Sequence, residues 1–203
     1  MTTNAPTEPA RLMVMLSGSG RTLENLFARI RDGDLPATIA LVVANRPCRG
    51  LEIAREHAVP AVLAPGTLTP EALDELVETH RIDWVVLAGY LRLVPVTPRT
   101  RGRIVNIPPA LLPAFGGPGM HGMKVHQAVL DAFARGEVTE SGCTVHLVDE
   151  TYDTGPIILQ KRCPVRPGDD AEDLADRVFS LERDAYPEAL TKLIRAERTP
   201  PPR

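Results

Sequence analysis

The 203-residue chain has no apolar run approaching the ~18–20 residues needed to cross a bilayer, so nothing in it reads as a membrane-spanning helix. Neither charge sign dominates: 23 Lys and Arg stand against 26 Asp and Glu, a formal net charge of −3. A chain this close to neutrality lacks the basic field that marks a nucleic-acid-binding domain. Met1–Ala10 has neither a basic n-region nor an apolar centre and does not read as a secretory signal. Only three cysteines are present, Cys48, Cys143 and Cys163, with no close pair and no metal-ligand spacing. They read as unpaired thiols of a reducing compartment, and a cytoplasmic location is expected. The chain also shows no internal repeat and no low-complexity linker. No apolar stripe stands out beyond those the core needs, so the sequence names no oligomeric state.

What is present is ordinary for a globular protein: 43% hydrophobic and 24% charged residues, which argues against disorder of the whole chain. The length predicts one domain. Proline is the unusual count, 20 residues, nearly twice the average of about 5%. Part of the excess falls in the ends, and flexible tails are expected at 1–10 and 198–203 around a domain at 11–197.

Apolar runs alternate with helix-like segments over the first two thirds. Strands are expected at Leu12–Leu16, Thr38–Ala44, Pro60–Ala64, Trp84–Ala88 and Ile104–Ile107. Helices are expected at Thr22–Ile30, Leu51–Ala58 and Pro70–His80, the last opening with Pro and acids as helix N-termini prefer. This alternation predicts βαβ units on a parallel sheet. The last third differs. A helix at Val125–Ala134 precedes two strands, Cys143–Val148 and Pro156–Val165, joined by a turn. A long amphipathic helix at Asp170–Ile194 closes the chain, with a kink or break expected at Pro187. The whole predicts one α/β domain with a sheet that is parallel first and partly antiparallel later.

In an open parallel sheet, ligands bind outside the carboxyl ends of the strands. After the first strand comes Ser17-Gly18-Ser19-Gly20-Arg21-Thr22, leading into a helix. It is neither the dinucleotide fingerprint, lacking the third glycine, nor a Walker loop, lacking Gly-Lys-Ser/Thr. A small phosphate site and a plain tight turn both fit it. After the fourth strand comes Gly89–Val94, where Arg92 could read a carboxylate or a heterocycle edge, or make a structural ion pair. After the fifth, Asn106 could hold a carbonyl oxygen as an oxyanion-type donor, or merely cap the strand end. Asp149–Pro156 is a polar turn between two strands, and alone its acids read as turn residues.

Taken in order, these loops resemble the phosphoribosylglycinamide formyltransferase family. The resemblance runs from about Leu12 to Ala196 and is carried by Met15–Leu23 (MLSGSGRTL), Val42–Asn45, Asp83–Val94 (DWVVLAGYLRLV), Arg103–Pro113 (RIVNIPPALLP) and Gly142–Val165 (GCTVHLVDETYDTGPIILQKRCPV). It implies a Rossmann-like formyltransferase fold and transfer of a formyl group from 10-formyltetrahydrofolate, a co-substrate, to the amine of 5-phosphoribosylglycinamide in purine synthesis, with small-molecule partners and no metal. It assigns Gly20, Arg21 and Thr22 to the substrate phosphate, with Arg21-Thr22 where many members carry Ser-Asn, and Glu182 to the ribonucleotide. Leu91, Arg92, Leu93 and Val94 would meet the pterin through backbone and apolar contacts, helped by Asp149–Asp153. Asn106 would hold the formyl oxygen and Asp153 would be the catalytic carboxylate. An Arg common just before the third helix, a folate contact in bacterial members, has no counterpart here.

One departure falls on the reaction itself. The family motif runs Asn-Ile-His-Pro-(Ser/Ala)-Leu-Leu-Pro, and this chain has Pro108 where the His should stand. Proline has no ionisable group and no N–H, so it cannot shuttle a proton. Three readings follow. The first is a formyltransferase, slower for the loss, in which water or His121, His126 or His146 replaces the imidazole. The second is an impaired relative that binds folate or nucleotide. The third is a related formyl-folate enzyme, although the hydrolase and the tRNA formyltransferases normally carry extra domains. Retained Asn106 and Asp153 favour the first, because a pure binder has less need of both.

Overall fold

The computed structural model describes residues 8–198. Seven strands form one sheet: β1 (Ala10–Leu16), β2 (Ala37–Ala44), β3 (Ala61–Leu63), β4 (Trp84–Leu87), β5 (Ile104–Asn106), β6 (Glu140–Leu147) and β7 (Ile157–Pro164). Five helices accompany them: α1 (Arg21–Arg31), α2 (Arg49–Glu56), α3 (Pro70–Thr79), α4 (Met123–Ala134) and α5 (Ala171–Arg198). The strand order is β3-β2-β1-β4-β5-β6-β7. Pairing is parallel from β3 to β5 and antiparallel for β5–β6 and β6–β7, as the change of pattern in the last third predicts. Residues 1–7 and 199–203 of the expected tails lie outside the described residues, while Ala10 is the first residue of β1 and α5 runs on to Arg198.

The apolar runs are continuous because both faces of the parallel part are covered. Side chains alternate across a strand. Leu12, Val14 and Leu16 therefore join the larger core with Leu23 and Leu26 of α1 and Leu174, Val178 and Leu190 of α5. Met13 and Met15 face the opposite way, into a smaller core with Leu73 and Val77 of α3. The start of α3 follows from its sequence: Thr69 caps it by accepting from the Ala72 N–H at 3.2 Å, and Pro70 occupies the first turn.

The expected break at Pro187 does not occur; α5 is one helix of 28 residues. Proline removes the N–H that would bond the carbonyl four residues back, here Arg183 O. That carbonyl instead accepts from Asn25 Nδ2 at 2.9 Å and from an Arg29 guanidinium nitrogen at 3.4 Å, both on α1. The lost helical bond becomes a tertiary one, so the chain keeps its course. One residue earlier, Tyr186 is fully buried, and its hydroxyl lies 2.9 Å from Leu87 O and 2.8 Å from Val105 O. It thereby bridges the ends of β4 and β5, from which the functional loops depart.

Candidate active site

The strand order reverses between β1 and β4, and a cleft of about 490 Å³ opens beyond their carboxyl ends. Gly18–Thr22, Ala88–Leu91, Asn106–Pro109, Gly117–Gly122, Tyr152–Asp153, Phe179 and Glu182 line it. The β1 and β4 loops are tied together at its floor, where buried Ser17 Oγ accepts from the Leu91 N–H at 2.9 Å.

On one side the chain turns from β1 into α1 through Gly20, whose φ is +79°. A side chain at Gly20 would meet Ile53 Cδ1 at 2.6 Å and Gly50 Cα at 3.1 Å. Glycine is thus required both by the left-handed backbone and by the close approach of α2. The α1 N-terminus faces the cleft with free N–H groups, a setting for an anion. The Arg21 guanidinium stacks 3.8 Å above the Phe179 ring and reaches Asp176 at 3.4 Å. Beside them stands Glu182, whose carboxyl is pushed up to about 7 by burial, with Arg21 pulling the other way. Gly20, Arg21, Thr22 and Glu182, far apart in sequence, therefore share one end of the cleft.

At the other side, Asn106 ends β5 directly opposite His146 on β6. Asp153 follows β6 and adopts a positive φ of 57°, a conformation that Asp tolerates better than most residues. One of its carboxylate oxygens accepts from the Gly117 N–H at 2.8 Å, and the other lies 3.5 Å from His146 Nε2. Burial raises the Asp153 carboxyl, but His146, the Gly117 amide and the Asn106 side chain outweigh it, so the net position is below the ordinary aspartate value. The site holds an ionised carboxylate beside an amide, the arrangement needed to accept a proton and to hold a carbonyl oxygen.

Pro108 also lines the cleft. Its carbonyl accepts from the Thr144 N–H at 3.1 Å. Thr144 Oγ1 donates to Ala110 O at 2.6 Å and accepts from the Leu112 N–H at 3.0 Å, while Gln160 Nε2 donates to Leu112 O at 2.9 Å. The loop is thus clamped to β6 and β7, and position 108 serves that clamp through its carbonyl, the backbone hydrogen-bonding group that proline keeps.

The three histidines separate clearly. His121 lines the cleft, in the Gly117–Gly122 loop. His146 is 1% exposed and sits beneath the cleft against Asp153. His126 is buried on α4, its basicity lowered by burial, and is not among the cleft-lining residues.

Of the stretch Leu91–Val94, Leu91 and Leu93 are exposed, and only Leu91 lines the cleft. Arg92 is exposed as well. The Val94 side chain is buried in the smaller core, so apolar contact with a ligand through it does not fit. The Asp149 carboxylate accepts from the Thr151 N–H and the Thr154 hydroxyl, each at 3.0 Å or less, and shapes the turn that presents Asp153. Phe179, Tyr90 and the Gly117 amide belong to the cleft without having stood out in the sequence, while Tyr152 lines it from within the expected Asp149–Asp153 stretch. Phe179 lies one helical turn before Glu182, and that i, i+3 spacing is the signal that could have found it. Among the described residues, no three His, Cys, Asp or Glu side chains come together to hold a metal ion, and no helix is long and apolar enough to cross a membrane.

Residues 10–190 match the family model described as formyl transferase. The chain is 42% identical over 186 residues to a phosphoribosylglycinamide formyltransferase of Mycobacterium tuberculosis, covering 88% of this chain and 82% of that protein. It is 40% identical over 195 residues to a chloroplastic phosphoribosylglycinamide formyltransferase of Arabidopsis thaliana, covering 90% of this chain but 65% of the plant protein, slightly under two thirds of its length. Its structure resembles the crystal structure of glycinamide ribonucleotide transformylase 1 from Symbiobacterium toebii, with a TM-score of 0.78, 38% identity, and coverage of 91% of this chain and 87% of that one.

Proposed function

The chain belongs to the phosphoribosylglycinamide formyltransferase family, and from that premise we propose that it transfers a formyl group from 10-formyltetrahydrofolate to the primary amine of 5-phosphoribosylglycinamide. The observation that carries this reading is the meeting of Asn106 and Asp153 in the same cleft as the glycine loop before α1. A phosphate at Gly20–Thr22 would place the attached amine toward the carboxylate. Glu182 offers an acceptor to sugar hydroxyls, and Arg21 adds a positive charge at the phosphate end. On the folate side, exposed Leu91 and Tyr152 offer apolar surface to a flat ring, while the backbone of Gly89–Leu91 supplies polar edges.

The chemistry asks three things of the chain. Asn106 donates to the formyl oxygen as negative charge gathers there. Asp153 takes the proton that the attacking amine gives up and returns it to the folate nitrogen that leaves. The clamped loop fixes both groups in register, which by itself supplies a large share of the rate. None of these steps uses a side chain at 108. Loss of an acid–base group typically costs about 10²–10⁴ in rate, so the enzyme is slower than a His-bearing relative unless another group substitutes. The protein acts on small molecules, and we place it in the cytoplasm, where Cys48, Cys143 and Cys163 remain unpaired thiols.

Purified protein, 10-formyltetrahydrofolate and 5-phosphoribosylglycinamide test the proposal directly: formylated product is expected. Pro108 favours one second reading, a folate- or nucleotide-binding protein without turnover. Tight folate binding with no formyl transfer would establish that reading instead.

A further inference from the structure

His146 and Asp153 meet in a way that fixes where hydrogens must be. His146 Nδ1 lies 2.9 Å from Leu147 O. A carbonyl only accepts, so Nδ1 carries a hydrogen. A neutral imidazole with its hydrogen there presents a bare lone pair from Nε2. Nε2 has no hydrogen-bond partner of good geometry, and the charged atom it faces is Asp153 Oδ1 at 3.5 Å. With the carboxylate ionised, two lone pairs would oppose each other at a residue that is 1% exposed, an arrangement that folded proteins avoid.

A second hydrogen, on Nε2, removes the conflict and turns the contact into a charge-assisted bond that shortens when the site fills. We propose that His146 and Asp153 form an electrically neutral pair, imidazolium against carboxylate, and that this buried pair supplies the acid–base function for which position 108 has no side chain. The inference rests on the formyltransferase reading for its consequence in catalysis, not for the pair itself.

The surroundings agree. Asn106 faces the pair from β5 and the Gly117 amide from the following loop, both neutral. Tyr90, His121, Tyr152, Glu182 and Arg21 are the titratable or charged groups that share the cleft with Asp153. Among the described residues, His146 is the ionisable group that acts on the Asp153 carboxylate.

The pair alters the reaction's charge balance. A lone carboxylate would oppose the negative charge that develops on the formyl oxygen held by Asn106. A neutral pair does not, and it becomes positive when Asp153 takes the amine proton as the new C–N bond forms. When the bond to the folate nitrogen breaks, Asp153 hands that same proton on and the pair returns to its starting state. No other reagent is consumed. His146 touches no reacting atom in this scheme and is a positioning residue.

Nitrogen-15 spectra of the imidazole side chains in the intact protein at pH 7 test it without any turnover. The His146 signals, assigned by their loss in His146→Gln or their shift in Asp153→Asn, are expected to show hydrogens on both ring nitrogens in the natural protein. In Asp153→Asn the amide can donate to Nε2, and that nitrogen is expected to lose its hydrogen. A bare Nε2 in the natural protein, or an unchanged doubly protonated ring in Asp153→Asn, would overturn the proposal. Kinetics adds a second arm: His146→Gln is expected to lower kcat about tenfold or more with the acceptor KM changed less than about threefold. A raised KM at unchanged kcat would count against it. Absence of formyl transfer in the natural protein would defeat the formyltransferase reading, while the spectra would still decide the pair.

Discussion

Asn25 on α1 donates its side-chain amide to the carbonyl of Arg183 on α5, at 2.9 Å. That carbonyl is free to accept because Pro187, four residues on, has no N–H to give it. The bond joins the two helices that bring residues to one end of the cleft: Gly20–Thr22 leads into α1, and Phe179 and Glu182 stand on α5. A proline that sequence reasoning marks as a helix breaker thus becomes the fastening point between helices. Ion pairs from Arg29 to Asp184 and from Arg21 to Asp176 run along the same seam.

Asn25→Ala removes that fastening. The expected result is a loss of about 1 kcal/mol in unfolding free energy, the ordinary net worth of such a bond, together with a raised KM for the acceptor and little change in the folate KM. Denaturant unfolding and steady-state kinetics check both parts.

Asp153→Asn keeps the shape of the site and removes the proposed proton acceptor. A fall in kcat of about 10²–10⁴ is expected, with the protein still folded by circular dichroism. Full retention of activity would remove Asp153 from the mechanism.

Pro108→His restores the family's imidazole at a position whose carbonyl alone is used by the clamp to Thr144. If the His146–Asp153 pair already carries the acid–base role, kcat is expected to change less than about tenfold. A gain of about 10²-fold or more would show that the missing imidazole limits the rate.

Glu182 gives a pH signature. Its carboxyl is raised to about 7 in the fold from an ordinary value of 4.5. Between those two values the folded state holds the proton more tightly than the unfolded chain, so stability is full below about pH 4.5 and declines as pH rises toward 7. The half-buried setting makes the loss on the order of 1–3 kcal/mol. Glu182→Gln is expected to flatten that slope, raising Tm relative to the natural protein at pH 8, while weakening acceptor binding. Thermal melts at pH 5 and pH 8 measure it; an equal difference at both would refute the assignment.

Much of the fold is legible in the chain. The apolar runs that became β1, β2 and β4 are continuous because they are buried on both faces, and that pattern survives any detail of packing. The Pro70 start of α3 and the change to antiparallel pairing after α4 are equally local signals. Of the site, Gly20, Asn106 and Asp153 stood at strand ends where ligands bind, and the structure brings all three to one cleft. Tyr90, Phe179 and the Gly117 amide did not stand out, because an aromatic ring or a backbone N–H acquires a role only from what lies opposite. Val94 and Asp149 show the reverse: they sit beside site residues in sequence, yet one is packed in the core and the other is committed to its own turn.

The strand–helix alternation, the loops at the strand ends and the missing imidazole at 108 are all written locally in the chain, because periodicity, turn residues and residue identity are properties of neighbours along it. That α5 passes through Pro187 intact, and that His146 rather than His121 or His126 lies against Asp153, follows from the packing of distant segments. Both outcomes depend on partners more than a few residues away. The donors for Arg183 O come from a helix over 150 residues earlier, and Asp153 folds back over the strand that carries His146. Which buried groups come to face one another is set by what packing leaves within reach, and no spacing along the chain encodes that.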